Sequence, residues 1–286
     1  MREELKRIER LKGLRFKVRA LLEGILLGIH KSPLHGYSSE FVEHRGYSLG
    51  DDIRMIDWKV FARKDRLYTK KFSEETNSNV YFLLDSSKSM DFGNPTKFEY
   101  AKVLIGSLSF LFYLQRDSPS LYVFSDNQKL FIPPSTKRAN LEKILDTLEN
   151  LKPEGKTEPK ELFLYLSEIV KNKSIIFLFT DYYHKPYDFI KGLKYLKAKN
   201  NKVYSIRLIC NEDYNLTKSP PFILMDLETH KEIVVNEKKL WNEFKEKLIE
   251  FERDLYETIV KAGIKNFVIN SKEPYEKNLL MILKFL

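Results

Sequence analysis

Apolar residues in the first thirty positions recur at helical spacing. Leu5, Ile8, Leu11, Phe16, Ala20, Leu22, Ile25 and Leu26 fall on or near one face, and Gly13 is placed to interrupt the helix. The most apolar part, residues 20–29, contains Glu23 and is too short to cross a bilayer, so it predicts a helix face packed on a domain. Its Gly24-x-x-x-Gly28 spacing carries little weight outside a long apolar segment. From residue 35 to 73 the pattern changes to short polar–apolar alternations with turn signals at Gly36, Gly46 and Gly50-Asp51-Asp52, which predicts extended segments and loops.

After Glu75 strands and helices alternate. Residues 80–84 are a continuous apolar run, as a strand buried on both faces requires, and the run ends in Asp85. A second such run, 175–179, ends in Thr180-Asp181, and a third spans 203–209. Residues 121–124 and 130–132 read as a hairpin across Asp126-Asn127. Helices are expected over 98–114, 138–151, 161–170 and 189–199. Beyond the break at Pro220-Pro221, a small hairpin is expected from 222–225 and 232–235, then a long amphipathic helix over 237–262, a strand at 266–269 and a closing helix at 275–285. The alternation implies an α/β fold, a mostly parallel sheet with helices on both faces. Residues 1–75 are expected to form a helix and extended region packed on the main domain, and 76–286 the domain itself, with the hairpin inserted around 220–236.

Composition narrows the chemistry. A 286-residue chain that is 43% hydrophobic can bury a full core without disulfides or structural metals. Cys210 is the only cysteine, which excludes an intrachain disulfide and a paired-cysteine zinc site; its place after an apolar run predicts a buried, inert thiol. A single cysteine suits a reducing cytoplasm. Arg and Glu alternate over residues 2–12, and no small-residue cleavage site follows the later apolar run, so no signal peptide is expected. The net charge of +9 is spread along the chain rather than blocked, which reads as a solvated Lys/Glu-rich surface. Nucleic-acid binding is the alternative that charge leaves, and it is not expected.

In an open parallel sheet the functional crevice lies beyond the carboxyl ends of the strands. Asp85 and Asp181 each end a buried run, which puts both carboxylates on that edge. Neighbouring strands would bring them within several ångströms, where two unpaired charges repel and are costly to bury, and a divalent cation between them removes the cost. Ser87 and Ser89 follow Asp85 at alternate positions, so a loop curling over the strand end can aim both hydroxyls inward. Thr157, in Gly155-Lys156-Thr157, lies on an interhelical loop and offers a third hydroxyl. Two carboxylates, three hydroxyls and water suit magnesium, with manganese or calcium as other hard ions, and the lack of soft ligands argues against zinc or copper. The plain alternative is an Asx turn followed by a serine helix cap.

Asp85, Ser87 and Ser89, with Thr157 and Asp181, resemble the metal-ion-dependent adhesion site of von Willebrand factor A domains. That resemblance implies a Rossmann-like α/β domain in which a partner's carboxylate fills an open coordination position. Upstream, Gly36-Tyr37-Ser38-Ser39-Glu40-Phe41, the stretch Arg45-Gly46-Tyr47-Ser48-Leu49-Gly50-Asp51-Asp52-Ile53-Arg54-Met55-Ile56-Asp57-Trp58, and Ala62-Arg63 are similar to the signature of the bacterial and archaeal family called domain of unknown function 58. Phe61 departs from that pattern, where a smaller residue is expected. The resemblance implies a branch without N-terminal membrane helices, and a MoxR-type AAA+ ATPase, or its client, as the partner. By itself the upstream region reads as a charge network, Arg45, Arg54 and Arg63 with Glu40, Asp51, Asp52 and Asp57, pinning extended segments to the domain, with Trp58 as a core anchor.

Other chemistries find no support. The chain has no Gly-x-x-x-x-Gly-Lys-Ser/Thr loop, Gly-x-Gly-x-x-Gly or His-Glu-x-x-His. An aspartyl-phosphate phosphatase wants an acid two residues after its aspartate, and Ser87 stands there. The sequence therefore predicts a non-enzymatic, magnesium-dependent interaction module. The alternatives are a metal-dependent hydrolase using the same ion, with His184 near the site as a possible base, and a basic nucleic-acid binder.

Overall fold

The computed structural model describes residues 13–29, 41–46, 68–72, 77–126, 129–211, 222–225, 232–235 and 238–286. The chain forms two compact units, residues 29–77 and residues 1–28 with 78–286. In the smaller unit, strands β1 (Phe41–Gly46) and β2 (Tyr68–Phe72) pair antiparallel, with Arg45 opposite Thr69. The remaining charged residues of the upstream signature, with Trp58 and Phe61, lie outside the described residues, as do residues 3–12 of the expected first helix.

In the larger unit, Gly13 has φ +89°, and helix α1 (Leu14–Ile29) begins directly after it. There follow β3 (Asn79–Asp85), a 3-10 turn (Lys88–Met90), α2 (Lys97–Leu114), β4 (Ser118–Phe124), β5 (Lys129–Ile132), α3 (Arg138–Asn150) and α4 (Pro159–Ile169). The chain continues through β6 (Ile175–Thr180), α5 (Pro186–Ala198), β7 (Lys202–Ile209), β8 (Phe222–Met225), β9 (Glu232–Val235), α6 (Lys238–Lys261), β10 (Lys265–Asn270) and α7 (Tyr275–Leu283). Strands β8 and β9 are the expected hairpin, a two-stranded sheet of their own.

Six strands make one sheet in the order β10-β7-β6-β3-β4-β5, parallel throughout except for β5. This is the α/β arrangement that the sequence predicts, a mostly parallel sheet flanked by helices. The chain leaves β3 toward β4 on one side and later returns to place β6 on the other, so the strand order reverses between β3 and β6. Loops leaving those two strands diverge there, opening a crevice at their carboxyl ends.

Strand alternation sorts the core into two layers. Tyr81 and Leu83 of β3, with Ile176 and Leu178 of β6, pack against Leu162 and Leu166 of α4, Phe189 and Leu193 of α5, and Leu255 and Ile259 of α6. On the opposite face Phe82 and Phe177 stack at 5.4 Å, and Phe112 of α2 closes against both rings. Helix α2 is apolar nearly all round because it is enclosed, with α1 and α3 over it: a side chain on Gly106 would meet Val18 at 2.9 Å and Leu145 at 3.2 Å. Thr96 caps its start: the Thr96 hydroxyl accepts from the Glu99 N–H at 3.1 Å.

Helices α4 and α5 meet at Gly192, where an added Cβ would sit 2.1 Å from the Phe163 ring. Alanine at a helix interior gains up to about 1 kcal/mol over glycine, but here the ring, which also meets Phe189 edge-on, must be displaced. Gly192→Ala is therefore expected to lower unfolding stability by roughly 1–3 kcal/mol, the usual cost of overpacking. Chemical denaturation checks this, and a stabilised variant would contradict the packing described.

Candidate functional site

Asp85 is the last residue of β3, on the same side of the strand as Tyr81 and Leu83, and fully buried. One carboxylate oxygen, Oδ1, accepts the Ser87 N–H at 3.0 Å, the bond of an Asx turn. Ser87 then stands at the start of the 3-10 turn, but its side chain makes no cap bond; its hydroxyl instead lies 3.0 Å from that of Ser89. So the turn of the plain alternative is present and its serine cap is not.

The second oxygen, Oδ2, gathers hydroxyls from elsewhere in the chain. Thr180, the last residue of β6, donates to it at 2.7 Å, and Thr157 at 3.2 Å. Thr180 arrives because β3 and β6 pair in register up to Leu84 and Phe179, so the next row sets Asp85 beside Thr180. Thr157 arrives because the α3–α4 loop is tied on both sides. Glu154 N–H donates to the Ser86 carbonyl at 2.6 Å, and Lys88 N–H to the Gly155 carbonyl at 2.9 Å. Lys156 and Asp126 exchange two further bonds, from Lys156 N–H to the Asp126 carboxylate at 2.6 Å and from Asp126 N–H to the Lys156 carbonyl at 2.8 Å. Gly155 turns this loop with φ +78°, a left-handed conformation that glycine adopts without strain. Thr157 is buried beneath it, and Ser89 is the least enclosed of the predicted residues.

Asp181 follows Thr180 and is also buried. Its Oδ1 accepts the Tyr183 N–H at 3.1 Å across Tyr182, which has φ 64°. Its Oδ2 accepts from the Lys97 ammonium at 2.8 Å, and both side chains are only 1% exposed. Beneath this loop Arg207 donates to the Asp181 carbonyl at 3.4 Å and grips Glu252 of α6 with both guanidinium arms at 2.5 Å.

The structure thus brings Asp85, Ser87, Ser89, Thr157 and Asp181 to one crevice, and adds two residues that the sequence reading did not name, Thr180 and Lys97. His184, by contrast, is exposed on the loop after Asp181, and Cys210 is buried as expected.

Burial pushes the Asp85 carboxyl up to about 7 from its ordinary 3.8, with the nearby Asp181 charge as the second cause; the bonds from Ser87 and Thr180 oppose the rise. A cation at this position would counter both causes. The donors fit a hard divalent ion: carboxylate and hydroxyl oxygens from separate loops, with no sulfur or imidazole among them. Among the described residues no group of three or more His, Cys, Asp or Glu is placed to hold a metal ion, so a zinc-type donor set is not found there.

The family model described as "Protein of unknown function DUF58" matches residues 43–252. The chain belongs to the DUF58 family. Among curated relatives, the uncharacterized protein Rv1480 of Mycobacterium tuberculosis is 35% identical over 83 residues, 29% of this DUF58 chain and 26% of that protein. The match therefore spans about a quarter of that relative's length. Among solved structures, the conserved hypothetical protein BatB from Bacteroides thetaiotaomicron is 17% identical with a TM-score of 0.48, covering 72% of this chain and 98% of that one. The SpRpn10 VWA domain is 12% identical with a TM-score of 0.43, covering 72% and 94%. The fold assigned to this DUF58 chain rests on its own sheet order.

The raised Asp85 pKa sets a pH dependence for the metal-free protein. The folded state holds the proton more tightly than the unfolded chain between pH 4 and 7. Stability contributed by that proton is full below pH 4 and is lost as pH rises toward 7, with a slope of up to about 1.4 kcal/mol per pH unit. Denaturant unfolding of metal-free protein from pH 4 to 8 is expected to show this decline, and Asp85→Asn to flatten it. A wild-type profile that rises over that window would contradict the assignment.

Proposed function

We propose that this chain is a magnesium-dependent protein-interaction module that takes an acidic side chain of a partner at the Asp85 crevice. It acts, in this reading, as an adaptor or co-chaperone beside a MoxR-type AAA+ ATPase in the cytoplasm. The observation that supports the reading most is one buried carboxylate meeting hydroxyls from two distant parts of the chain, at the point where the sheet's strand order reverses. The ATPase partner comes from the family resemblance alone.

Asp85, Ser87, Ser89 and Thr157 would hold the ion, and Asp181 would balance its charge from one layer out. When bound, magnesium supplies a hard electrophilic centre with room for one more oxygen ligand, and manganese or calcium suits the same oxygens. The chain's own part is preorganisation. The Asx turn fixes Asp85, the loop bonds at Ser86, Lys88 and Asp126 hold Thr157 against it, and the Ser87–Ser89 pair lines the more open side. A partner's Asp or Glu enters from that side. This reading gives no residue a catalytic role, and no turnover is expected.

Capture of a MoxR-type ATPase on the immobilised full chain tests this. Binding is expected in magnesium, with a loss of at least about tenfold in EDTA or with Asp85→Ala, the scale on which removing one partner of a charged contact acts. Capture that persists unchanged in EDTA would refute the metal-dependent mechanism. Turnover of phosphoester substrates with magnesium or manganese would favour the hydrolase alternative.

A further inference from the structure

Lys97 stands where helix physics disfavours it. It is the first residue of α2, where the macrodipole is positive, and its ammonium is buried, which is costly for a charge. A specific partner has to offset both effects. The Asp181 Oδ2 at 2.8 Å is that partner, and the Tyr183 ring faces the ammonium at 4.7 Å.

The consequence lies in the charge of the whole crevice. With both carboxylates ionised, Asp85, Asp181 and Lys97 together carry one net negative charge. Other charged groups nearby are paired or exposed: Lys88 pairs with Asp91 at 2.9 Å, Lys185 with Glu158 at 2.5 Å and Arg207 with Glu252, while Asp126, Glu154 and Lys156 are exposed to solvent, which screens them. A divalent ion added to one net negative charge leaves the site positive by one. Without Lys97 the same site would be neutral.

We propose that Lys97 is a fixed internal cation that weakens metal binding and, in return, leaves the loaded site net positive and selective for an anionic partner group. This rests on the magnesium reading above and names the feature that sets its ligand preference. Lys97 acts as a positioning and charge-setting residue, not as a ligand. Its ammonium repels the ion through the carboxylates it helps to neutralise, and attracts the incoming carboxylate once the ion is in place. One residue therefore moves two affinities in opposite directions, which a merely structural lysine does not do.

The test uses the full chain with Mn2+ as the metal probe and acetate as the carboxylate probe. Water-proton relaxation measures Mn2+ affinity first, and acetate is then titrated into the loaded protein. Lys97→Gln keeps a hydrogen-bond donor for Asp181 but removes the charge. It is expected to bind Mn2+ about tenfold more tightly and acetate about tenfold more weakly than wild type, while Lys97→Arg stays within a few-fold of wild type in both. Circular dichroism establishes that each variant is folded, and Lys97→Met carries the same test should the Gln variant not fold. Wild-type Mn2+ binding that the neutral variants merely match, or two affinities that shift in the same direction, would overturn the role of Lys97 and leave the metal reading standing. Failure of every form to take up Mn2+ would overturn the metal reading and this inference with it.

Discussion

Two carboxylates at the ends of adjacent buried strands repel each other and resist leaving water, and the crevice is organised around offsetting that cost. Asp85 is served by one backbone N–H and the hydroxyls of Thr157 and Thr180. Asp181 is served by one backbone N–H and the ammonium of Lys97. The two are not treated alike: Asp181 has a permanent counter-charge, and Asp85 has only dipoles. Burial, with the Asp181 charge beside it, drives the Asp85 carboxyl up to about 7, and only dipoles oppose that rise. That is why an added cation would have most to gain beside Asp85.

The same constraint accounts for loops that otherwise look arbitrary. The α3–α4 loop belongs to a distant stretch of chain, yet it is bonded to the residues just after β3 at two points and to Asp126 after β4 at two more. A buried Thr157 hydroxyl is useful to Asp85 only if held within hydrogen-bond reach, and these four backbone-level bonds hold it there. On the other side, Arg207 ties the Asp181 carbonyl to Glu252 of α6, so the second carboxylate is fixed from below the sheet edge. The hydroxyl of buried Ser87 pairs with that of half-buried Ser89.

Much of this was legible in the sequence because the strands that matter are unusually plain. Val80-Tyr81-Phe82-Leu83-Leu84 and Ile175-Ile176-Phe177-Leu178-Phe179 are apolar on both faces, which only central parallel strands require, and both end at the same sheet edge. Thr180 was overlooked although its signal was available: it occupies the row beside Asp85 once the two strands are taken as neighbours in register. Lys97 was harder to find, since 84 residues separate it from Asp181 and nothing local links them. Its signal was a misfit, a lysine inside the first turn of an apolar helix directly after a threonine cap, where an acidic residue is favoured. The upstream arginine-rich signature is the reverse case, plain in sequence while most of its residues lie outside the described structure.

On the proposed reading, the Asp85 crevice holds a hard divalent ion on oxygen donors from two separate parts of the chain, residues 85–89 and Thr157. A crystal of the full chain grown with Mn2+, measured at the manganese absorption edge, tests this most directly. The account predicts one anomalous peak within about 2–2.6 Å of oxygens of Asp85, Ser87 and Ser89, with Thr157 close by directly or through water. Manganese bound only elsewhere on the chain, or a crevice that stays closed by the Ser87–Ser89 and Thr157–Asp85 bonds at saturating Mn2+, would contradict it.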